Sequence, residues 1–263
     1  MTALRVRYLS ILVAALALTG AAWAAYPGMG TTDSASSPDG KVRYQAVAGR
    51  STTISIVRGG RLARSAVIHG RYGFPLPTNQ GGAGVSHDGR TLVLSRVGSF
   101  GRFAVLDART LRLRRTIALH GQFTYDALSP TASTLYVIQH VSLGADDHYY
   151  VRAYDMHAGR LLRQVVFDTR ESREVMRGVA VARATDPSGR WVYTLYGRAD
   201  GTIFVHALDT VDRHAFCIDL SPRFSQETAM GLRLKLRGRR LVVLNGTRRV
   251  AAVDTKTLRA IRG

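Results

Sequence analysis

Asp146-Asp147-His148 is the one cluster in this chain with metal-ligand chemistry, since carboxylate oxygens and an imidazole can share a divalent cation. Neighbours in one hairpin seldom aim at a single ion, however, and no second pair at ligand spacing accompanies them. Solvated turn residues are the ordinary reading. Glutamate is confined to Glu171, Glu174 and Glu227. Cys217 is the only cysteine and sits in the apolar run Ala215 to Leu220, where a small buried hydrophobe is expected rather than a nucleophile, and no intramolecular disulfide can form. No Gly-x-Ser-x-Gly elbow, no His-Glu-x-x-His pair and no phosphate-binding glycine loop occurs. No catalytic residue, metal or cofactor is therefore assigned.

The elements that must position these residues are strands. From Ala184 to Thr210 a turn (Asp186, Pro187, Ser188, Gly189) leads into a β-rich run, Trp191 to Tyr196. A second turn follows, and then another β-rich run, Ile203 to Leu208, which stops at Asp209. The plan returns around Ser86 to Thr110, Ser129 to Gly159 and Leu236 to Thr257. Superposing the runs on their closing aspartates, Asp107, Asp155, Asp209 and Asp254, gives spacings of 48, 54 and 45 residues. A four-stranded unit takes roughly 40 to 45 residues, so the surplus belongs to loops. The two residues before each aspartate are Val105-Leu106, Ala153-Tyr154, Ala207-Leu208 and Ala252-Val253. Both faces of these strands are apolar, which requires a sheet packed against each side. No sustained helical spacing competes.

The segments SPDG (37–40), SHDG (86–89) and DPSG (186–189), the strands TLYVIQ, WVYTLY and TLVLSR, and the closing VLDART and AVDTKT resemble the β-propeller superfamily. The likeness is to secreted proteins with YVTN-type or WD40-like blades and covers almost all of the chain after residue 36, although the Trp-Asp dipeptide of true WD40 repeats is absent. It implies an all-β fold, a single propeller of about five four-stranded antiparallel blades over residues 38–263. Residues 25–37 are then a linker or an irregular first strand. His206, at a strand position held by Ala104, Arg152 and Ala251 in other repeats, reads as a satisfied histidine between blades.

An up-and-down meander puts short turns on one face and every long connection on the other. The long-connection face is the expected binding surface. Its candidates are Tyr72, Phe74, Phe123, Tyr125, Tyr149 and Phe224 with Asp126, Asp146, Asp147, His148, Glu174 and Arg177, a mixture suited to a polar ligand needing aromatic contact. Asp107 and Asp254 on the other face, each followed three residues later by threonine, are expected to accept backbone N–H bonds in Asx turns.

Arg5 and Arg7 precede the apolar run Leu9 to Leu18 and the small-x-small Ala22-Trp23-Ala24, which reads as a signal peptide over residues 1–24. The alternative is an uncleaved membrane anchor, the only route to membrane contact. Export leaves nucleic acid aside as a partner. The formal charge is +19 with only three lysines, Lys41, Lys235 and Lys256, and the arginines read as scattered rather than clustered. Three functions fit. The first is an exported, non-catalytic propeller binding a carbohydrate, peptide or envelope polymer through the long-connection face. The second is a metal-dependent lactonase or hydrolase using Asp126, the Asp146 to His148 cluster and Glu174. The third is a structural or assembly module docking an acidic partner.

Overall fold

The computed structural model describes residues 30–78, 82–143, 147–168, 170 and 175–261. Two short strands come first, β1 (Gly30–Thr32) and β2 (Ser34–Ser36). Blade 1 is β2 followed by β3 (Val42–Ala48), β4 (Ser51–Arg58) and β5 (Arg61–His69). Blade 2 is β6 (Tyr72–Leu76), β7 (Thr91–Arg96), β8 (Arg102–Asp107) and β9 (Leu113–Ala118), with β1 added beside β6. Blade 3 is β10 (Phe123–Leu128), β11 (Thr134–His140), β12 (His148–Asp155) and β13 (Arg160–Val166), with β14 (Met176–Arg177) pairing the start of β12. Blade 4 is β15 (Val179–Thr185), β16 (Trp191–Gly197), β17 (Ile203–Asp209) and β18 (His214–Leu220). A single helical turn, α1 (Gln226–Met230), leads to blade 5: β19 (Arg233–Arg237), β20 (Arg240–Asn245), β21 (Arg248–Asp254) and β22 (Arg259–Ala260). All the pairings within these sheets are antiparallel, and the five sheets form a β-propeller.

The turns are built from one local device. Ser37 and Ser86 each donate a hydroxyl to Asp39 or Asp88 (2.6 Å) while accepting the N–H that starts the next strand, from Val42 or Thr91 (2.9 Å). In blade 4 the roles are exchanged: Asp186 accepts from Trp191 N–H at 2.9 Å and from the Ser188 hydroxyl at 2.6 Å. On the same face Asp107, Asp155, Asp209 and Asp254 each accept two backbone N–H bonds, the expected Asx turns.

Two local features interrupt the regular meander. The segment 70–82 contains β6, which pairs with the end of β7 (Tyr72 opposite Arg96, Gly73 opposite Ser95). Residues 83–86 form the second half of the blade 2 inner strand: Val93 N–H donates to Gly84 C=O at 2.7 Å and Ser86 N–H to Thr91 C=O at 3.0 Å. Gly84 has φ +90°, and a Cβ there would meet the Val93 carbonyl oxygen at 2.1 Å, so only glycine lets the chain rejoin the sheet. The second departure is α1, capped by the Ser225 hydroxyl accepting from Thr228 N–H at 3.2 Å, with Ala229 packed into the core.

Four apolar clusters hold the blades together. Ile54, Ile56, Phe74, Leu92 and Leu106 join blades 1 and 2; Val93, Phe103, Phe123, Leu135 and Val137 join 2 and 3. Tyr136, Val151, Tyr196, Phe204 and Leu208 join 3 and 4; Leu195, Val205, Leu234, Leu241 and Val243 join 4 and 5. Each fully buried aliphatic or Phe side chain contributes roughly 1.5 to 3 kcal/mol, so the stacked blades stabilise one another without a disulfide. Among the described residues no such cluster joins blades 5 and 1, and blade 1 leaves Val47, Leu62 and Val67 about two thirds exposed.

Candidate functional site

The expected binding aromatics are core residues. Tyr72 and Phe74 lie on β6 and Phe123 and Tyr125 on β10, buried in the clusters that join blade 2 to its neighbours; Tyr149 is buried between blades 3 and 4. Their positions at strand starts put them inside the stack rather than in the connections. Phe224 is half-buried against the blade 4 and 5 cluster, and Arg177 is exposed on β14. Asp146 and Glu174 fall outside the described residues. The hairpin neighbours Asp147 and His148 diverge: Asp147 turns inward to His140, and His148 Nδ1 lies 3.2 Å from the Ser142 hydroxyl.

Four of the expected residues, Tyr125, Asp126, Asp147 and Tyr149, do meet beside the propeller axis. Arg183, on β15, crosses from blade 4 to bond both the carboxylate and the backbone carbonyl of Asp126, and its Nε donates to the Thr194 hydroxyl at 3.0 Å. His140, at the end of β11, sits between Thr124 Oγ1 (2.9 Å from Nε2) and Asp147 Oδ2 (2.8 Å from Nδ1). A hydroxyl, imidazole and carboxylate in series is the order of a nucleophile relay. All three are buried, and the pocket beside His140 and Asp147 has a volume of only about 20 Å³, too small for a substrate. His206 is buried in the same region, and burial pushes its imidazole down to about 4, against Asp126, whose charge works the other way.

Two larger spaces are bordered in part by the short turns. A channel of about 680 Å³ is bordered by inner-strand or turn residues of all five blades, including Ser36, Val85, Asp126, Arg183 and Leu236. At its rim the blade 2 turn meets the blade 4 turn: a Cβ on Gly189 would lie 2.6 Å from the His87 Cβ. Pro38 and His87 also border a cleft of about 820 Å³ between blades 1 and 2. That cleft carries Arg58, Arg90, Arg109 and Arg114 against Asp39, Asp88 and Asp107, a near balance.

The largest charge excess lies on blade 5, above the six cations against one acid of residues 34–69 and the seven against two of residues 72–118. Residues 232–261, blade 5, carry nine arginine and lysine side chains against one carboxylate, Asp254. All nine are exposed, and among the described residues the blade forms one internal ion pair, Arg239 to Asp254 at 3.6 Å. Residues 179–220, blade 4, carry four arginines and five aspartates. There Arg183 pairs with Asp126, Arg198 with Asp219 at 3.0 Å, and Arg190 with both Asp209 and Asp212. Burial works to raise the Asp209 carboxyl, but Arg190 and the backbone N–H groups of Asp212 and Val211 outweigh it and hold it below the usual carboxylate range. Asp209, Asp212 and His214 have ligand atoms within 4.8 Å of one another, yet the Arg190 guanidinium already bridges the two carboxylates where an ion would sit. The clustering on blade 5 was missed because arginine was weighed over the whole chain; counting charge per repeat reveals it.

No protein-family model and no curated protein matches the sequence. Among solved structures the chain is similar to hydrazine synthase of Kuenenia stuttgartiensis, with 17% identity and a TM-score of 0.52 over 85% of this chain and 64% of that one. It is also similar to the Cps50 (Swd1) β-propeller domain of Myceliophteria thermophila, with 15% identity and a TM-score of 0.51 over 84% of this chain and 65% of that one. A further match is BamB of Moraxella catarrhalis, at 19% identity and a TM-score of 0.46, covering 89% of this chain and 63% of that one. The chain spans less than two thirds of each of these structures. The likeness defines the class of fold, a β-propeller, and activity does not follow from fold.

Proposed function

We propose that this protein is an exported, non-catalytic propeller that docks an acidic partner, a protein segment or an envelope polymer bearing carboxylates, on the exposed arginine- and lysine-rich surface of blade 5. The observation that carries the reading is the local imbalance of nine exposed cations against one carboxylate on a blade whose neighbour is balanced. Such a surface attracts and orients anionic partners, and guanidinium forks bind carboxylates in bidentate fashion. Export is supported by Arg5, Arg7, the apolar run that follows and Ala22-Trp23-Ala24.

The test is retention on immobilised polyglutamate at low salt. Replacing Arg233, Arg237, Arg240, Arg248 and Arg249 with Gln should weaken retention at least about tenfold, since several charge contacts are lost together. Replacing Arg61, Arg64, Arg112, Arg115 and Arg160, exposed on other blades, should change it far less. Equal loss in both variants would show that overall charge, rather than blade 5, drives binding.

A further inference from the structure

Between blades 3 and 4 lies the pocket of about 20 Å³, with Tyr125, Asp126, His140, Asp147, Tyr149 and Arg183 in its wall. That volume holds one species of about the size of a water molecule. Three buried oxygens of these residues receive no hydrogen bond among the described residues: Asp126 Oδ2, Asp147 Oδ1 and the Tyr149 hydroxyl oxygen. The three residues are 2%, 4% and 1% exposed, so bulk water does not satisfy them. A carboxylate oxygen sealed away without a donor is strongly unfavourable.

The surrounding groups define what is missing. The other oxygen of each carboxylate is engaged, Asp126 Oδ1 by Arg183 and Asp147 Oδ2 by His140 Nδ1 at 2.8 Å. His140 closes one side of the pocket, its two ring nitrogens held by Thr124 and Asp147. The pocket therefore presents three oxygens that lack a donor, one more than the two protons of a single water can serve, in the space of one water. Tyr196, also in the wall, stands where its hydroxyl oxygen can accept from the Tyr149 hydroxyl, which leaves the Tyr149 oxygen itself without a donor.

We propose that this pocket binds one small monovalent cation stripped of its hydration shell, ammonium or an alkali ion. Hard oxygen donors suit such an ion, and ammonium offers an N–H to each of the three oxygens that lack a donor. Pro77, Tyr125, Asp126 and Arg183 border both the pocket and the channel, so the ion enters past the Asp126–Arg183 pair. The proposal is independent of docking at blade 5.

Thermal unfolding at constant ionic strength, in about 100 mM ammonium, potassium, sodium or tetramethylammonium chloride, tests it. At least one small cation should raise Tm above the tetramethylammonium value by about 3 °C, the shift expected for a site with a dissociation constant of about 10 mM in a domain of this size. Ranking the three small ions separates ammonium from the alkali ions. Tyr149→Phe should at least halve the shift. Ser95→Ala, which removes a partnerless buried hydroxyl outside the pocket, should leave it intact. Equal Tm in all four salts would mean that the pocket holds water, and would overturn the proposal. So would a cation shift that persists undiminished in both Tyr149→Phe and Asp147→Asn. Should Asp147→Asn fail to fold, Tyr149→Phe decides alone, since it deletes one oxygen and leaves the packing.

Discussion

Blades 4 and 5 pack against each other through one apolar cluster and use the same turn chemistry, yet they treat charge in opposite ways. In blade 4 three of the four arginines are bonded to aspartates, one of which, Asp209, has a fully buried side chain. In blade 5 Leu234, Leu241, Val243 and Val253, which face blade 4, are as apolar as their partners there, but the exposed positions include nine arginines and lysines against one acid. Both blades keep the apolar contact between them whatever their exposed charge. Exposed charge is free to vary, and where it departs furthest from balance it is available for a partner.

If the apolar contact is what the two blades share, cutting it should cost most. Leu241→Ala, at a position with 0% exposure, should destabilise by about 2 to 5 kcal/mol, seen as a large fall in Tm, and Leu195→Ala across the same interface should do the same. A small effect at either position would mean that blade 5 is not integral to the stack.

Sensitivity to pH should belong to blade 4. His206 is held neutral by burial, with its pKa lowered from 6.5 to about 4. The unfolded chain therefore binds the extra proton first as pH falls. Stability is full above about pH 6.5, declines as pH drops toward about 4, and loses about 3 kcal/mol over that window. His206→Ala should flatten this part of the Tm profile; blade 5 has Ala251 at the matching strand position and no group of this kind. An unchanged slope in the variant would place the titration elsewhere.

The ion pairs should rank in the same direction. Arg190→Ala strips the buried Asp209 carboxylate of its cation and should lower Tm measurably, most of all above pH 4, where that carboxylate is ionised. Arg239→Ala removes the long, exposed contact with Asp254 and should leave Tm nearly unchanged. Similar losses from the two substitutions would contradict the contrast between the blades.

Much of the fold was legible because its signals are local. Asp107 with Thr110 and Asp254 with Thr257 announce Asx turns within four residues, and strands apolar on both faces announce sheets on both sides. Ser34–Ser36, in a segment read as linker or irregular strand, supplies the inner strand of blade 1. The split inner strand of blade 2 was hidden because Gly73 and Pro75 interrupt the pattern, and half of its pairing is with β1, remote in sequence. The site was less legible for the same reason. Asp126 and Asp147 stand out as acids, but nothing near them in sequence announces Arg183 arriving from the next blade or His140 from the preceding strand. The sequence pattern puts Tyr72, Phe74, Phe123, Tyr125 and Tyr149 in connections because strand starts blur into them, and a shift of a few residues moves a ring from surface to core.

Docking at blade 5 is tested most directly by the salt dependence of polyglutamate binding, measured for the protein and for the blade 5 Gln variant. Affinity of the unaltered protein should fall steeply as salt rises, and the variant should lose most of both the affinity and the slope while its Tm stays within about 1 kcal/mol of equivalent stability. A variant that binds with the original slope would contradict the account, because the charges holding the partner would then lie on other blades.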